Sequence, residues 1–418
     1  MPSLSAPTPS AASSPRLVAR RALAVDPYAV PLSGKRHQDA DVLDHEWLVS
    51  DGRGGYASGT IAGPHTRRYH GLLVVPLAPP LDRHVLLSRI DEEVVIGDRS
   101  WRVSATEFED AYVDPSAGVA TTDFHLDAGH PTWTINVDGR GTLERQVWME
   151  DGLSATYVRY TWTGKKACTL VLRPLATSRD FHHEWRGDQN WYFDIQRIDH
   201  AEVGGLQVRA HRHSPVWHFL VNAPTGTHWH WDFDQTHWWW NFRHREEHAR
   251  GFDSVEDLYC LGAVSVALAP GESVTVSASL ATDGSTAAAR LATQRTAAGK
   301  PSTSDQPGAK RPTTNTAPAD RVADALRRAA ASFLVRREEP ESDANDAAST
   351  GWTVLAGYHW FGDWGRDTFI ALPGLARLTG RHDVAREVLR SWARAVSQGM
   401  LPNRFPDSGA PLGEGDFN

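Results

Sequence analysis

The chain has 418 residues, more than one hydrophobic core usually serves, so two domains are the first expectation. With 40% apolar and 22% charged residues, the composition is that of a globular protein and not of a disordered or fibrous one. The formal net charge is -8, so the chain has no excess of basic residues that would bind a phosphate backbone. This argues against nucleic acid as a partner and against a polyanionic substrate.

The cysteine and tryptophan contents narrow the class further. Cys168 and Cys260 are the only cysteines, which excludes a disulfide framework and a Cys-based zinc site and fits a reducing compartment. The chain contains 17 Trp against 9 Tyr and 3 Met. An indole face suits stacking on a sugar ring, although core packing is the usual role of any single Trp.

Residues 1–40 are predicted to be a disordered leader. Its first thirty residues are rich in Ser, Ala and Pro and contain no apolar run of signal-peptide length. No stretch of the chain approaches the roughly 20 apolar residues that cross a bilayer. The sequence therefore predicts a soluble cytoplasmic protein with no membrane partner.

Residues 41–282 are predicted to form an antiparallel β-sandwich. Short alternating or apolar runs rich in β-forming residues, such as 71–76 and 156–163, are separated by turn residues. Pro270 and Gly271 lie between two Val-bearing segments, which is typical of a hairpin. Because strands recur at this spacing without a long helical period between them, two packed sheets are expected.

Residues 283–318 are predicted to be a flexible linker. Large apolar residues give way there to Ala, Thr, Ser, Gln, Lys and Pro, a composition that buries too little surface to offset the entropy of ordering. From Asp320 the apolar residues Val322, Leu326 and Phe333 recur at helical spacing, which predicts an amphipathic helix.

Residues 319–418 are therefore expected to form a helical second domain. A further helix is predicted from about His382 to Ser397, with Gly399 placed to terminate it. Its predicted apolar face consists of Val384, Val388, Leu389, Trp392 and Val396.

Three stretches of sequence resemble one known family. The first runs from Glu46 to Leu73 and contains DGRGGYASGT followed by GPHTRRYHGLL, a glycine-rich turn without the Gly-Lys-Ser/Thr ending of a nucleotide loop. The others are RGFDSVEDLY, at 250–259, and GYHWFGDWGRDTFIALPGL, at 357–375. They closely resemble the glycogen debranching enzymes of the bacterial and archaeal type, and the LPNRFPD stretch at 401–407 follows the same pattern.

The resemblance implies a fold and an activity. Residues 319–418 resemble the opening of an α/α-toroid of the six-hairpin glycosidase type, so a multidomain chain is expected, with an amino-terminal β-sandwich followed by a truncated toroid. The implied activity is that of an amylo-α-1,6-glucosidase, which hydrolyses the α-1,6-glucosidic branch points of glycogen or of a limit dextrin. No cofactor and no metal are implied, and the oligomeric state stays open.

The catalytic carboxylates are expected outside this chain. An inverting glycosidase needs two carboxyl groups roughly 6.5–9.5 Å apart, and in the relatives both lie downstream of the position of Asn418. Twelve toroid helices with their loops need on the order of 200 residues, and the chain after Asp320 supplies about half of that. We therefore expect a fragment that does not hydrolyse glycogen by itself.

The expected substrate-binding residues are Arg366, Asp367, Trp364 and Trp360. A guanidinium fork and a carboxylate can grip the vicinal hydroxyls of a terminal glucosyl unit, and similar Arg-Asp pairs in glucoamylase-like toroids hold the non-reducing glucose. The two Trp residues could form a stacking wall or pack in a core. The alternative for the pair is that Asp367 caps the following helix while Arg366 pairs on the surface.

Two other clusters receive weaker assignments. The His- and Trp-rich segment 228–248 has poor spacing for a metal site, and a glucan contact or a domain interface fits its aromatic density better. Ordinary surface pairing is the simplest explanation of the charged residues at 179–184, and the charges at 243–247 look like a solvated face. A second function class also stays open, in which the sandwich and its Trp cluster form a non-catalytic glucan-binding module.

Overall fold

A computed structural model describes residues 43–114, 119–200, 203–296, 318–338, 350–407 and 410–417. The predicted leader lies outside these ranges. The strands in chain order are β1 (Glu46–Ser50), β2 (Tyr56–Thr60), β3 (Gly71–Ala78), β4 (Leu81–Ile96), β5 (Arg99–Arg102), β6 (Thr106–Glu107), β7 (Val113–Asp114), β8 (Val119–Asp127), β9 (His130–Val137), β10 (Gly141–Met149), β11 (Ala155–Gly164), β12 (Cys168–Asp180), β13 (Asp194–His200), β14 (Val203–Arg209), β15 (Trp217–Asn222), β16 (Trp229–Asp232), β17 (Trp238–Arg243), β18 (Val255–Cys260), β19 (Ala263–Leu268), β20 (Ser273–Ser279), β21 (Leu334–Glu338) and β22 (Thr350–Val354). The helices are α1 (Arg245–Ala249), α2 (Gly284–Thr296), α3 (Pro318–Ser332), α4 (Gly365–Thr379), α5 (His382–Arg394) and a 3-10 turn at Glu414–Phe417.

Two large sheets make up the amino-terminal region. The first has ten strands, with the main order β1-β2-β3-β4-β12-β18-β17, β19 beside β12, β16 beside β19 and β5 beside β4. The second has eight strands in the order β13-β14-β15-β20-β11-β10-β9-β8. Neighbouring strands pair in antiparallel fashion, as in β4-β12 and β15-β20. The prediction of a mostly β, antiparallel amino-terminal region is confirmed.

One hydrophobic core joins the two sheets. Leu73 and Leu170 of the first sheet and Trp133 and Val276 of the second belong to the same buried cluster. The indole N–H of Trp133 donates to the carbonyl of Ile61 at 3.0 Å, so its burial leaves no polar group unpaired. Many of the Trp side chains are buried in this way, which agrees with the expectation that core packing is the usual role of a Trp.

The predicted linker is wrong in its first part. Residues 284–296 form α2, which packs on the outer face of the second sheet. Ala287, Ala288 and Leu291 are buried there against Trp148 and Tyr157. The small side chains of Ala287 and Ala288 allow the helix backbone to approach the sheet closely, so one large apolar residue, Leu291, is enough for packing. Residues 297–317 lie outside the described ranges.

The part of the chain after residue 318 combines helices with an unpredicted hairpin. Strands β21 and β22 pair along their whole length. They pack with α4 and α5 around a core that includes Val354, Leu372, Val388 and Trp392. Among the described residues after 318 there are three α-helices, and the α/α-toroid stays a prediction.

Both predicted helices exist, with differences in length and packing. The helix predicted from Asp320 is α3, and the one predicted from His382 is α5, which ends at Arg394, before the predicted Ser397. Some residues of the predicted apolar faces are exposed, because no described element covers them: Val322, Leu326, Leu389 and Val396. No helix in the described ranges is both long enough and apolar enough to cross a membrane.

Candidate functional site

The loop of residues 355–364, between β22 and α4, carries the Trp residues of the third motif and lies against the sandwich. Arg83 of β4 holds it there. The guanidinium donates to the carbonyl of His359 at 2.8 Å and to the carbonyl of Phe361 at 2.6 Å. Its Cζ also lies 4.5 Å from the ring centroid of Phe181. A buried arginine thus fixes the loop backbone to the first sheet.

His359 docks into the same surface as a neutral imidazole. Ser58 donates its hydroxyl proton to the carbonyl of Trp47 at 2.7 Å, so its oxygen accepts the Nε2–H of His359, also at 2.7 Å. The ring lies 5.3 Å from that of His70. Burial, with His70 nearby, lowers the pKa of His359 to about 3. With this pKa the ring is uncharged at neutral pH, and it donates through Nε2–H as a neutral tautomer.

Asp363 anchors the end of the loop from below. Its side chain is buried, accepts a hydrogen bond from the Thr353 hydroxyl at 3.1 Å and forms an ion pair with Arg337. The Arg337 Cζ in turn lies 3.8 Å from the ring centroid of Phe405. The acid at position 363 therefore joins β21, β22 and the loop that precedes α4.

The predicted pair lies in the first turn of α4. The helix begins at Gly365, and Trp364 is its N-cap without a side-chain capping bond. Arg366 is exposed and Asp367 is half-buried. Within the described part of the chain, neither side chain makes a hydrogen bond or an ion pair. The alternative of capping by Asp367 and surface pairing by Arg366 is therefore wrong. The Asp367 carboxylate, in the first turn, still interacts favourably with the helix dipole.

The structure separates the two predicted Trp residues. Trp360 packs toward the sandwich, with its ring 5.4 Å from that of Tyr69 and 5.7 Å from the Cζ of Arg67. Trp364 lies 5.6 Å from the Cζ of Arg404, beside the residues of the candidate pair. The ring of Phe361 lies between them, 5.9 Å from that of Trp360 and 6.4 Å from that of Trp364. Trp364 is the closer companion of Arg366 and Asp367 along the chain.

Two small cavities in the sandwich do not include the predicted residues. One, of about 30 Å³, lies between the sheets beside Arg89, Glu92 and Tyr160, which is room for water. A smaller one is lined by His65, His244 and other residues of the first sheet. Both belong to the polar interior of the sandwich, and Arg366 and Asp367 stand on the surface of α4.

The charged residues at 179–184 and 243–247 meet in one buried cluster. Arg179 donates to Glu256 at 2.6 Å, and His244 contacts Glu184 at 2.9 Å and Glu256 at 3.6 Å. Glu247 of α1 is also fully buried. The expectations of surface pairing at 179–184 and of a solvated face at 243–247 are wrong for these side chains, because strands distant in sequence cover them.

Charge balance explains how this cluster is tolerated. Arg68 lies 3.7 Å from Glu184 and 3.9 Å from Glu247, so three carboxylates face two guanidinium groups and His244. Burial lowers the pKa of His244, but Glu184 and Glu256 outweigh burial and raise the pKa above 6.5. Below this raised pKa, the imidazolium completes the neutralisation of the cluster.

Among the described residues, two groups have three possible metal-ligand atoms within 4.8 Å of one another, and members of both contact cations or donors of the protein itself. In the Glu184–His244–Glu256 group the cations are Arg179 and Arg68. In the other group, Nδ1 of His70 accepts from the amides of Thr66 and Arg67, so its Nε2 holds the proton and donates to Glu46 at 3.1 Å. A bound cation would have to displace that proton, so this arrangement favours a hydrogen-bonded site.

Several residues of the site were not identified from the sequence. Arg83 and Arg337 lie far apart in the chain, and their neighbours carry no pattern that assigns them a role. Arg404 stands in the LPNRFPD stretch, which gave it no role of its own. The sequence did indicate Asp363, since this residue stands within the third motif, close to the predicted pair. Its buried position depends on Arg337 and Thr353, whose proximity only the fold reveals.

Comparison with known proteins identifies the family. Residues 45–275, more than half of the 418, match the family model described as glycogen debranching enzyme N terminal. Residues 328–414 match the model described as amylo-alpha-1,6-glucosidase. The two matches cover most of the described residues, in the order in which the sandwich and the part after residue 318 occur.

Solved structures of carbohydrate-active proteins resemble the chain only distantly. A bacterial glucoamylase complexed with acarbose is 10% identical, with 89% of this chain and 51% of that chain covered and a TM-score of 0.39. A protein described as a kojibiose phosphorylase from the human microbiome is 10% identical, with coverages of 67% and 30% and a TM-score of 0.26. The chain thus spans about half the length of the glucoamylase. It is the family models, and not these structures, that place the sequence: the chain belongs to the glycogen debranching enzyme family.

Proposed function

We propose that the protein acts in the hydrolysis of α-1,6-glucosidic branch points of glycogen or of a limit dextrin, as an amylo-α-1,6-glucosidase. In this proposal Arg366 and Asp367 hold the terminal glucosyl unit, and Trp364 packs beside it. The observation that carries the proposal is the availability of this pair: a guanidinium and a carboxylate are adjacent in the first turn of α4, and neither has a partner among the described residues.

The chemistry of a glucosyl unit fits such a pair. Its hydroxyl groups both donate and accept hydrogen bonds, so a planar donor fork and a two-oxygen acceptor satisfy neighbouring hydroxyls. The helix N-terminus directs backbone N–H groups toward the same turn. Asp363, buried directly before Trp364, keeps this turn in place through Arg337 and Thr353.

The test is affinity electrophoresis of the 418-residue chain through a gel that contains glycogen. We expect glycogen to retard the wild type and Asp367→Ala to abolish most of the retardation. The matched control is Asp383→Ala, which removes an acid from the first turn of α5 and so carries the same helix-dipole cost. Equal retardation of Asp367→Ala and the control would refute the role of the pair.

A non-catalytic glucan-binding module is the second candidate. Its support is the aromatic content at β16 and β17, where Phe233 and Trp240 are exposed and the rings of Trp231 and Phe233 are stacked at 5.8 Å. In that case Trp240→Ala, and not Asp367→Ala, would abolish retardation by glycogen. Retardation that depends on Asp367 and not on Trp240 would instead favour the glucosidase.

A further inference from the structure

A continuous row of aromatic rings and guanidinium groups runs from α4 onto the sandwich. The ring of Phe361 lies 5.9 Å from that of Trp360 and 6.4 Å from that of Trp364. Beyond Trp360, the Cζ of Arg250 lies 5.8 Å from its ring and 5.1 Å from the ring of Phe252. We call this row the aromatic ridge, and its members are Phe252, Arg250, Trp360, Phe361, Trp364 and Arg404.

The ridge is accessible to a ligand at both ends and in the middle. Phe252 is 55% exposed and Phe361 is 43% exposed. The side chains of Arg250 and Arg404 are also close to half exposed. The ridge therefore offers apolar ring surface and hydrogen-bond donors next to one another.

The charges of the ridge favour a neutral, hydroxylated ligand. Arg250 lies 4.0 Å from Glu247, and Arg404 lies 3.9 Å from both Asp407 and Asp416. A polyanion would select unpaired cations, whereas each ridge arginine stands beside a carboxylate. At Arg404 the partly exposed Asp407 offers an acceptor beside the donors, which is what sugar hydroxyl groups require, and at Arg250 the buried Glu247 balances the charge.

The sandwich end of the ridge is held rigidly from below. The amide of Phe252 donates to the carbonyl of Glu247 at 3.0 Å, and Arg68 donates to the carbonyl of Asp253 at 2.7 Å. Glu247 and Arg68 belong to the buried ion cluster that also contains His244. Since these contacts fix the turn after α1 in the free protein, little ordering remains to be done on binding.

We propose that the aromatic ridge binds an α-1,4-linked glucan chain, with Arg250 and Phe252 of the sandwich contacting glucosyl units remote from Arg366 and Asp367. This inference rests on the proposed function and adds to it a role for the sandwich in selecting long chains. A short oligosaccharide reaches the α4 end alone, and a longer one also reaches Phe252.

The test compares maltotriose with maltoheptaose by isothermal titration of the full chain. The wild type is expected to bind maltoheptaose more tightly. Phe252→Ala is expected to weaken maltoheptaose binding by about threefold to tenfold, the value of one aromatic contact, and to leave maltotriose unchanged. Phe361→Ala is a second variant on the ridge. Tyr112→Ala is the matched control, because Tyr112 is 54% exposed and makes none of the ridge contacts.

The outcomes separate this inference from the proposed function. If Asp367→Ala abolishes binding of both oligosaccharides while Phe252→Ala and Phe361→Ala match the control, the ridge is refuted and the terminal site stands. Equal affinity of the wild type for the two oligosaccharides would also overturn the ridge. If maltoheptaose binding depends on Phe252 but neither ligand depends on Asp367, the ridge stands and the role of the Arg-Asp pair is refuted.

Discussion

Replacement of Arg83 by methionine should release the loop of residues 355–364 from the sandwich. Arg83 is 1% exposed and connects β4 to two backbone carbonyls of that loop. Methionine keeps much of the apolar stem and a contact with Phe181, but it cannot donate to either carbonyl. The change therefore removes the charged tether and leaves the packing largely in place.

The magnitude follows from the two lost hydrogen bonds. A hydrogen bond to a charged group contributes about 1.5–3 kcal/mol, so the two together contribute about 3–6 kcal/mol. Burial of the guanidinium has its own desolvation cost, which the variant no longer bears. We therefore expect a loss near the lower limit, about 3 kcal/mol, from the free energy that holds the loop and α4 on the sandwich.

Urea unfolding monitored by Trp fluorescence and by circular dichroism would measure this loss. We expect the Arg83→Met chain to show an early transition, because Trp360 and Trp364 leave their packed surroundings before the sandwich unfolds. Arg99→Met is the control, since Arg99 of β5 is exposed. A single transition at the midpoint of the control would refute the view that Arg83 holds the two parts together.

Two further predictions concern pH. The pKa of His244 is raised in the folded chain, so the stability that its charge contributes is fully present below pH 6.5 and is lost as pH rises through the folded pKa. In urea unfolding, His244→Gln should lower the free energy of unfolding by about 3–5 kcal/mol at pH 6 and by less at pH 9, and equal losses at the two pH values would refute a charged His244. The pKa of His359 is lowered to about 3, so its contribution to stability is retained above pH 6.5 and falls as pH drops toward 3, by on the order of 4–5 kcal/mol. His359→Gln keeps a donor for Ser58 and should flatten this dependence of stability on pH, and an unchanged pH profile would refute the role of His359.

Local patterns in the sequence predicted the kind of most large elements but not which elements pack against them. Alternation and turn residues were enough for the antiparallel region, and helical spacing was enough for α3 and α5. The failure at α2 has a physical cause: Ala287 and Ala288 have little apolar surface of their own, and their burial depends on a sheet face built from distant strands. The composition of residues 283–318 alone cannot predict that such a sheet face is available.

In the candidate site, too, the sequence predicted what depends on neighbours along the chain and missed what depends on tertiary contacts. The third motif placed Arg366 and Asp367 together because they are adjacent in the chain. The motif could not separate Trp360 from Trp364, since their environments are set by Tyr69 and Arg404, which come from other elements. Contacts of this kind depend on tertiary structure, and a single sequence contains no periodic signal for them.

The buried ion cluster links these observations into one argument about the sandwich. A neutral cluster of this size is costly to bury, and apolar residues would stabilise the same volume at least as well. Its position gives it another use: Arg68 and Glu247 hold the turn that presents Arg250 and Phe252, while the adjacent Arg67 packs on Trp360. If the cluster serves to position the ridge, His244→Gln at pH 6 should weaken maltoheptaose binding and spare maltotriose, whereas a purely structural role would change the stability and neither affinity.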